Sequence, residues 1–189
     1  MEASQAKQQL RKEIACIKKL QSKEDLSNWS AQIMEKIEQT SLFKQANNIA
    51  VYYSLKGEVE TDLWIEKWYT KKNIILPVVD GDDLIMVRYE GKESLRSGSF
   101  GIMEPVVTPD NIFPENNIDL VIVPGVAFDK SLNRMGRGRG FYDRLLSGLN
   151  VPKIGICFGF QFFDKIPAEG FDRKMDMVIT EKDVIGIKE

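Results

Sequence analysis

From Asn48 onward the chain alternates short apolar runs with stretches of helical periodicity, and that alternation confines it to one fold class. A run such as Leu120-Val121-Ile122-Val123 has no polar alternation, so it predicts a central strand covered on both faces, ending in Pro124-Gly125. Ile49 to Tyr53 and Ile74 to Val79 read as two more strands. Thr61 is placed to cap a helix carrying Leu63, Trp64 and Trp68 between them, which makes a parallel βαβ unit. Asp80-Gly81-Asp82 supplies turn chemistry before a strand over Leu84 to Arg88, so an antiparallel pair is expected there and the sheet is expected to be mixed at one edge. Ile154 to Cys157 and Met177 to Thr180 complete it. The predicted fold is α/β in three layers: a mostly parallel, mixed-edge, Rossmann-like sheet with helices on both faces.

Ahead of the sheet lie two stripes at helical spacing, Leu10, Ile14, Ile17 and Leu20, then Leu26, Trp29, Ile33 and Ile37. Ser22 with Asp25 three positions on fits a capping box opening the second helix. Lys7 and Arg11 fall one turn apart, alongside the first stripe, and on pattern alone they read as a solvated basic edge. Residues 90–117 are rich in Gly, Ser, Pro and Asn, and Phe100-Gly-Ile-Met-Glu-Pro105 within them is too irregular for a regular element. That stretch is a candidate lid or binding loop. Phe160, Phe162 and Phe163 read as core.

Composition removes several function classes. A net charge of −2 leaves no global field to draw nucleic acid or anionic lipid, and no apolar stretch is long enough to span a bilayer. The N-terminus lacks the apolar core of a secretory signal and carries an acid early, so the cytoplasm is the expected compartment. At 189 residues the chain suits one domain over residues 1–189, expected to be monomeric because no apolar patch is evident. Cys16 and Cys157 offer neither a spaced metal motif nor a bridge framework and read as free, packed thiols. The absence of histidine removes the usual general base, the Ser-His-Asp arrangement and the common zinc ligand sets together.

Chemistry concentrates in one turn, Arg134-Met135-Gly136-Arg137-Gly138-Arg139-Gly140-Phe141-Tyr142-Asp143. Glycines at every second position let the backbone approach a ligand closely, and Arg134, Arg137 and Arg139 bring planar donors suited to phosphate or carboxylate. The turn follows the central strand and feeds a helix carrying Tyr142, Leu145, Leu146 and Leu149, so free N–H groups and the helix dipole add to anion affinity. It is not a P-loop, because no Lys-Ser or Lys-Thr follows the glycines, nor a dinucleotide fingerprint, because Asp143 stands three beyond Gly140. A carboxylate at Asp143 beside bound phosphates asks for a cation between them, and ATP with Mg2+ is the guest that supplies one. The bland alternative is that Asp143 only serves the helix dipole or pairs with Arg139 or Arg144.

Val123-Pro-Gly-Val-Ala-Phe-Asp129 followed by Asn133-Arg-Met-Gly-Arg-Gly-Arg-Gly-Phe-Tyr-Asp143-Arg resembles the signature of the 5-formyltetrahydrofolate cyclo-ligases, also called 5,10-methenyltetrahydrofolate synthetases. The likeness extends over nearly the whole chain, through Lys7 and Arg11, the Tyr53-Ser-Leu-Lys-Gly-Glu58 segment, the Phe100 to Pro105 loop, and Asp172 to Thr180. It implies a single cyclo-ligase domain, with 5-formyltetrahydrofolate and ATP as partners and neither nucleic acid nor membrane. It implies that ATP phosphorylates the formyl oxygen, that N10 attacks the activated carbon, and that ADP and phosphate leave. Carried over by motif, Lys7, Arg11 and the turn from Arg134 through Tyr142 would hold ATP, which overturns the solvated-edge reading of Lys7 and Arg11. Arg137 and Arg139 would act on the transferring group, and Asp143 with Asp176 would bind Mg2+. Tyr53, Glu58, Phe100, Arg137 and Phe141 would line the folate. Three positions depart from the commonest family pattern: Phe141 stands where tyrosine is frequent, Arg139 where lysine is, and Phe171 where bacterial members often carry histidine. A non-catalytic binder of nucleotides or phosphometabolites, and an RNA-binding Arg/Gly turn, are the alternative readings.

Overall fold

In the computed structural model, which describes residues 3–98, 101, 103–168 and 173–186, the apolar run at 120–123 becomes β6 (Leu120–Pro124). It is hydrogen-bonded on both sides by parallel strands, β1 (Asn48–Val51) and β9 (Lys153–Ile156). β2 (Asn73–Asp80) continues the sheet beside β1 and β11 (Met177–Ile179) continues it beside β9, again parallel. Both edges close with antiparallel strands, β3 (Asp83–Arg88) on β2 and β12 (Val184–Gly186) on β11. The seven strands run in the order β12-β11-β9-β6-β1-β2-β3. The expectation of one mixed edge is therefore corrected to two. β12 is three residues long and largely exposed, so it carries no apolar run for a pattern to reveal.

Alternate residues of the same strands serve opposite layers. On one face, α2 (Lys23–Gln39), α3 (Ser41–Gln45) and α4 (Asp62–Trp68) bury Ile33, Phe43 and Ile65 against Ile49, Ile74, Ile122 and Ile154. On the other, α5 (Phe141–Gly148) buries Leu145 and Leu146 against Ala50, Ile75, Val121 and Val123. α2 starts where the sequence placed it, with the Ser22 hydroxyl accepting from the Asp25 N–H at 3.0 Å. Thr61 precedes α4 but makes no side-chain cap. Its hydroxyl instead donates to Tyr52 O at 2.7 Å and accepts from the Ser54 N–H at 3.1 Å, tying the chain after β1 to itself.

α1 (Ala3–Lys19) covers neither sheet face. Its Ile14 packs with Ala127, Met135 and Ile166 over a small second sheet of β7 (Ala127–Asp129), β8 (Arg134–Met135) and β10 (Phe162–Phe163). Leu20 at its end is exposed, although the stripe included it, and Cys16 is exposed rather than packed, whereas Cys157 is buried. The Phe100 to Pro105 stretch, read as too irregular for a regular element, supplies β5 (Met103–Pro105), which pairs with β4 (Leu95–Ser97) in a two-stranded ribbon. Phe100 and Asp172 lie outside the described residues. Among the described residues, no helix is long and apolar enough to cross a membrane.

The chain runs outward from β1 to β2 and returns to β6 on β1's other side. The crevice at the carboxyl ends of β1 and β6 is thus a topological switch point, where open α/β sheets bind ligands.

Candidate active site

Two loops and one helix converge on that crevice. After β1, the Tyr52 hydroxyl donates to Val59 O at 3.0 Å and fixes the base of a tight loop. Within it the Glu58 N–H reaches Leu55 O at 2.9 Å, and the Leu55 N–H reaches Glu58 Oε2 at 2.9 Å. One carboxylate oxygen of Glu58 therefore shapes the loop, and the other, Oε1, accepts from Arg137 Nη2 at 2.6 Å.

After β6 the chain is shaped by a buried carboxylate, Asp129, which accepts from the N–H groups of Ser131, Asn133 and Ile166 and from Asn133 Nδ2, at 2.9 to 3.0 Å. β8 then delivers Arg134 to the end of β6. Its Nη1 donates to Pro124 O at 3.2 Å and its Nη2 pairs with Asp143 Oδ1 at 2.8 Å. The Arg134 side chain is 3% exposed and that of Asp143 25%, so this is a largely buried pair. The guanidinium also lies 5.6 Å from the Tyr142 ring centroid.

Between Arg134 and Asp143 the backbone takes the conformations that the glycines permit: φ is 101° at Gly138 and 74° at Gly140, the residue that caps α5. A Cβ on Gly136 would stand 2.9 Å from Arg134 Nη1, so glycine there admits the guanidinium. Arg137 and Arg139 are exposed on the tip of the turn. The start of α5 is held by Arg144, which stacks on Phe141 at 5.4 Å, donates to Arg139 O at 3.2 Å, and grips Asp82 O and Asp83 in the β2–β3 turn.

α1 closes the crevice from above. Lys7, Arg11, Ile14 and Lys18 share one face of it, at i, i+4, i+7 and i+11. Arg11 Nε donates to Gly136 O at 3.0 Å, and Lys7 is only 7% exposed, so neither is a solvated edge. Lys18 has no counterpart among the residues expected from sequence. Its stem lies on the Glu58 loop, where a Cβ on Gly57 would meet Lys18 Cδ at 2.9 Å. Burial pushes its ammonium below the usual lysine range, with Glu58 opposing that shift and Arg137 adding to it. The available signal was its position two helical turns beyond Arg11.

Burial raises the hydroxyls of Tyr52 and Tyr142, and the Glu58 carboxylate raises both further, so both keep their protons well into the alkaline range. Glu58, Arg137, Tyr52, Tyr142 and Lys18 are thus one electrostatic neighbourhood, with the Arg134–Asp143 pair on its β6 side.

Other expected residues fall elsewhere. Met135 is buried in the core with Ile14 and Ala127, so only its backbone belongs to the turn. Tyr53 packs against the core cluster that includes Trp64 and Ile65 of α4, and burial, then Asp62 and Glu66, pushes its hydroxyl above the usual range. Asp176 is not brought to Asp143. Its Oδ2 accepts from the Lys153 N–H at 2.8 Å, at the amino end of β9 and β11, beside a basic hollow of about 340 Å³ lined by Lys153, Arg173 and Lys174. Arg134 instead reaches Pro124, which pairs with Ile156 three residues along β9 from Lys153, roughly 10 Å of strand away. Parallel strands explain the separation, because Asp176 precedes its strand whereas Asp143 follows one. Among the described residues no cluster of three or more Asp, Glu, Cys or His side chains could hold a metal. A cation here would rest on Asp143 and on oxygens that a ligand brings.

The sequence model of the 5-formyltetrahydrofolate cyclo-ligase family matches residues 3–181. A 5-formyltetrahydrofolate cyclo-ligase of Haemophilus influenzae is 35% identical over 181 residues, covering 89% of this chain and 94% of its own length. That of Escherichia coli K12 is 32% identical over 146 residues, 74% of this chain and 80% of its own length. Among solved structures, the 5,10-methenyltetrahydrofolate synthetase of Aquifex aeolicus superposes with a TM-score of 0.87 at 34% identity, over 97% of this chain and 93% of that one. The Mycoplasma pneumoniae synthetase gives 0.74 at 29% identity, over 93% and 98%.

Proposed function

This chain belongs to the 5-formyltetrahydrofolate cyclo-ligase family, and from that premise we propose how its own residues carry out the ATP-dependent conversion of 5-formyltetrahydrofolate to 5,10-methenyltetrahydrofolate. ATP lies along the Arg134 to Tyr142 turn, its phosphates met by Lys7 and Arg11 of α1 and by Arg137 and Arg139. The folate ring enters from the β1 side, and Glu58 accepts hydrogen bonds from its N–H groups while Phe141 covers it. The 2.6 Å contact between Arg137 and Glu58 carries this reading, because it joins a phosphate-binding cation to a ring-binding carboxylate across the switch point.

The formyl oxygen attacks the γ-phosphorus, the bond to the bridging oxygen breaks, and ADP leaves. N10 then adds to the activated formyl carbon, and the carbon–oxygen bond breaks. The former formyl oxygen departs with phosphate, which also carries away the N10 proton. Positioning and charge neutralisation dominate such a transfer, which suits a chain with no histidine. Arg137 and Arg139 meet the charge on the moving group. Tyr52 and Tyr142 stay neutral, so neither adds negative charge beside the phosphates. The residues fit Mg2+ only as a companion of the nucleotide: Asp143 would be its protein ligand and phosphate oxygens the rest. When bound, it would neutralise phosphate charge.

We further read the protein as a cytoplasmic monomer with no nucleic-acid or membrane partner. The activity is tested by mixing protein, 5-formyltetrahydrofolate, ATP and magnesium and following the methenyl absorbance. Its growth with ATP, and its absence without, is the expected result. ATP binding without a methenyl product would leave a nucleotide-binding relative that lacks the reaction.

A further inference from the structure

The cation-bearing face of α1 does not stop at Arg11. It continues to Lys18, about 16 Å along the helix from Lys7, and ends over the loop that holds Glu58. The methylene stem is seated on Gly57, with Cδ, Cγ and Cε all within 4 Å of where a Cβ would be, so the ammonium is delivered to the Glu58 side of the crevice. There it is half-buried and pairs with no carboxylate within 4.0 Å among the described residues. The neighbourhood therefore holds two cations, Lys18 and Arg137, and one carboxylate, already taken by Arg137.

That balance worsens when the substrate arrives. Ring N–H groups that occupy Glu58 displace Arg137, and two cations are left facing the crevice. The formyl group sits on the ring that Glu58 holds, so the anion produced nearest to them is the phosphoryl group on the formyl oxygen. The glutamate carboxylates of the substrate stand a benzoyl group farther out.

Resting on the cyclo-ligase reading, we propose that Lys18 is a further catalytic residue: opposite Arg137, it contacts the phosphoryl oxygens as that group passes from the ADP bridging oxygen to the formyl oxygen. Its bond-making is limited to hydrogen bonds, and no proton leaves it. Burial, opposed by Glu58 and aided by Arg137, holds its ammonium below the free lysine range, and the incoming anion works against that shift, so the contact is stronger in the transition state than before it.

The test compares the unaltered protein with Lys18→Met, which keeps the stem on Gly57, and Lys18→Arg, which keeps the charge. At saturating ATP and 5-formyltetrahydrofolate, Lys18→Met is expected to lose roughly ten- to a hundred-fold in kcat. Both KM values should change by no more than about twofold, ADP affinity by calorimetry should be unchanged, and Lys18→Arg should recover most of the loss. The alkaline limb of the kcat profile should also move to higher pH in Lys18→Arg, because guanidinium does not titrate there, and that readout decides the matter if Lys18→Met fails to fold. An unchanged kcat would overturn the proposal. So would a loss confined to the folate KM that vanishes with 5-formyltetrahydropteroate, which lacks the glutamate; that result would assign Lys18 to the tail carboxylates. No methenyl product from the unaltered protein would overturn the cyclo-ligase reading, and this inference with it.

Discussion

Arg137 and Glu58, 79 residues apart in the chain, form an ion pair of 2.6 Å across the carboxyl ends of β1 and β6. Each is the group that the other's ligand would displace. Arg137 is 59% exposed and Glu58 15%, so the carboxylate is largely buried but the arginine end of the pair is open to solvent, and the contact is worth about 1 kcal/mol. In the proposed site, opening it for substrate costs little and leaves the released arginine on the turn assigned to the ATP phosphates.

Arg137→Ala separates stability from activity. Loss of so exposed a pair should leave the melting temperature within about 2–4 °C of the unaltered protein. Loss of a charge-assisted phosphate contact, about 1.5–3 kcal/mol, should lower kcat roughly ten- to a hundred-fold. Thermal melts alongside the methenyl assay check both, and near-normal turnover would remove Arg137 from the transfer.

Arg134→Ala, by contrast, should lower stability. It strands Asp143 and Pro124 O after removing a buried partner, which costs about 3–5 kcal/mol, or roughly 10 °C in melting temperature for a chain of this size. Arg134→Lys should not rescue it, because a single ammonium cannot reproduce the two directed nitrogens.

Asp129→Ala should be as damaging although its carboxylate is fully buried and serves only the protein's own N–H groups. Four N–H donors lose their acceptor in the interior, each worth about 1–3 kcal/mol if left unpaired. The melting temperature and the kcat of the folded fraction should both fall, the second because the loop that presents Arg134 loosens. Denaturant unfolding with single-turnover rates checks this.

Lys18→Met should stabilise the protein while impairing it. The fold holds the Lys18 ammonium below its ordinary value of 10.5, so between the folded value and 10.5 the unfolded chain binds more protons and stability rises with pH. The cost of the charged lysine is thus full at neutral pH and fades toward pH 10.5. The stability gained by Lys18→Met should accordingly be greatest at neutral pH and shrink as the pH rises, which melts across that range would show.

The layers, the central strand and the Arg/Gly turn were legible because each rests on local pattern: continuous apolar runs, a helical period, glycines at alternate positions. β12 was not, since three largely exposed residues owe their strand to pairing with β11. Asp143 and Asp176 look alike as carboxylates near strands, and only the direction of the parallel strands separates them. Lys7 and Arg11 read as an edge because a helix pattern shows which residues share a face but not what that face meets. Lys18 was missed for the same reason, as its meaning comes from Gly57 and Glu58 across the crevice. Phe100 lies outside the described residues, and its role against folate stands as a proposal.

The central claim, that the formyl oxygen takes the phosphoryl group in this crevice, is tested most directly by an isotope label. 5-Formyltetrahydrofolate carrying a heavy isotope in its formyl oxygen is converted with unlabelled ATP, and the released phosphate is analysed by mass spectrometry. One labelled oxygen in each phosphate, matched to each methenyl product, is the predicted result. Methenyl product with unlabelled phosphate, or with the label in water, would contradict it.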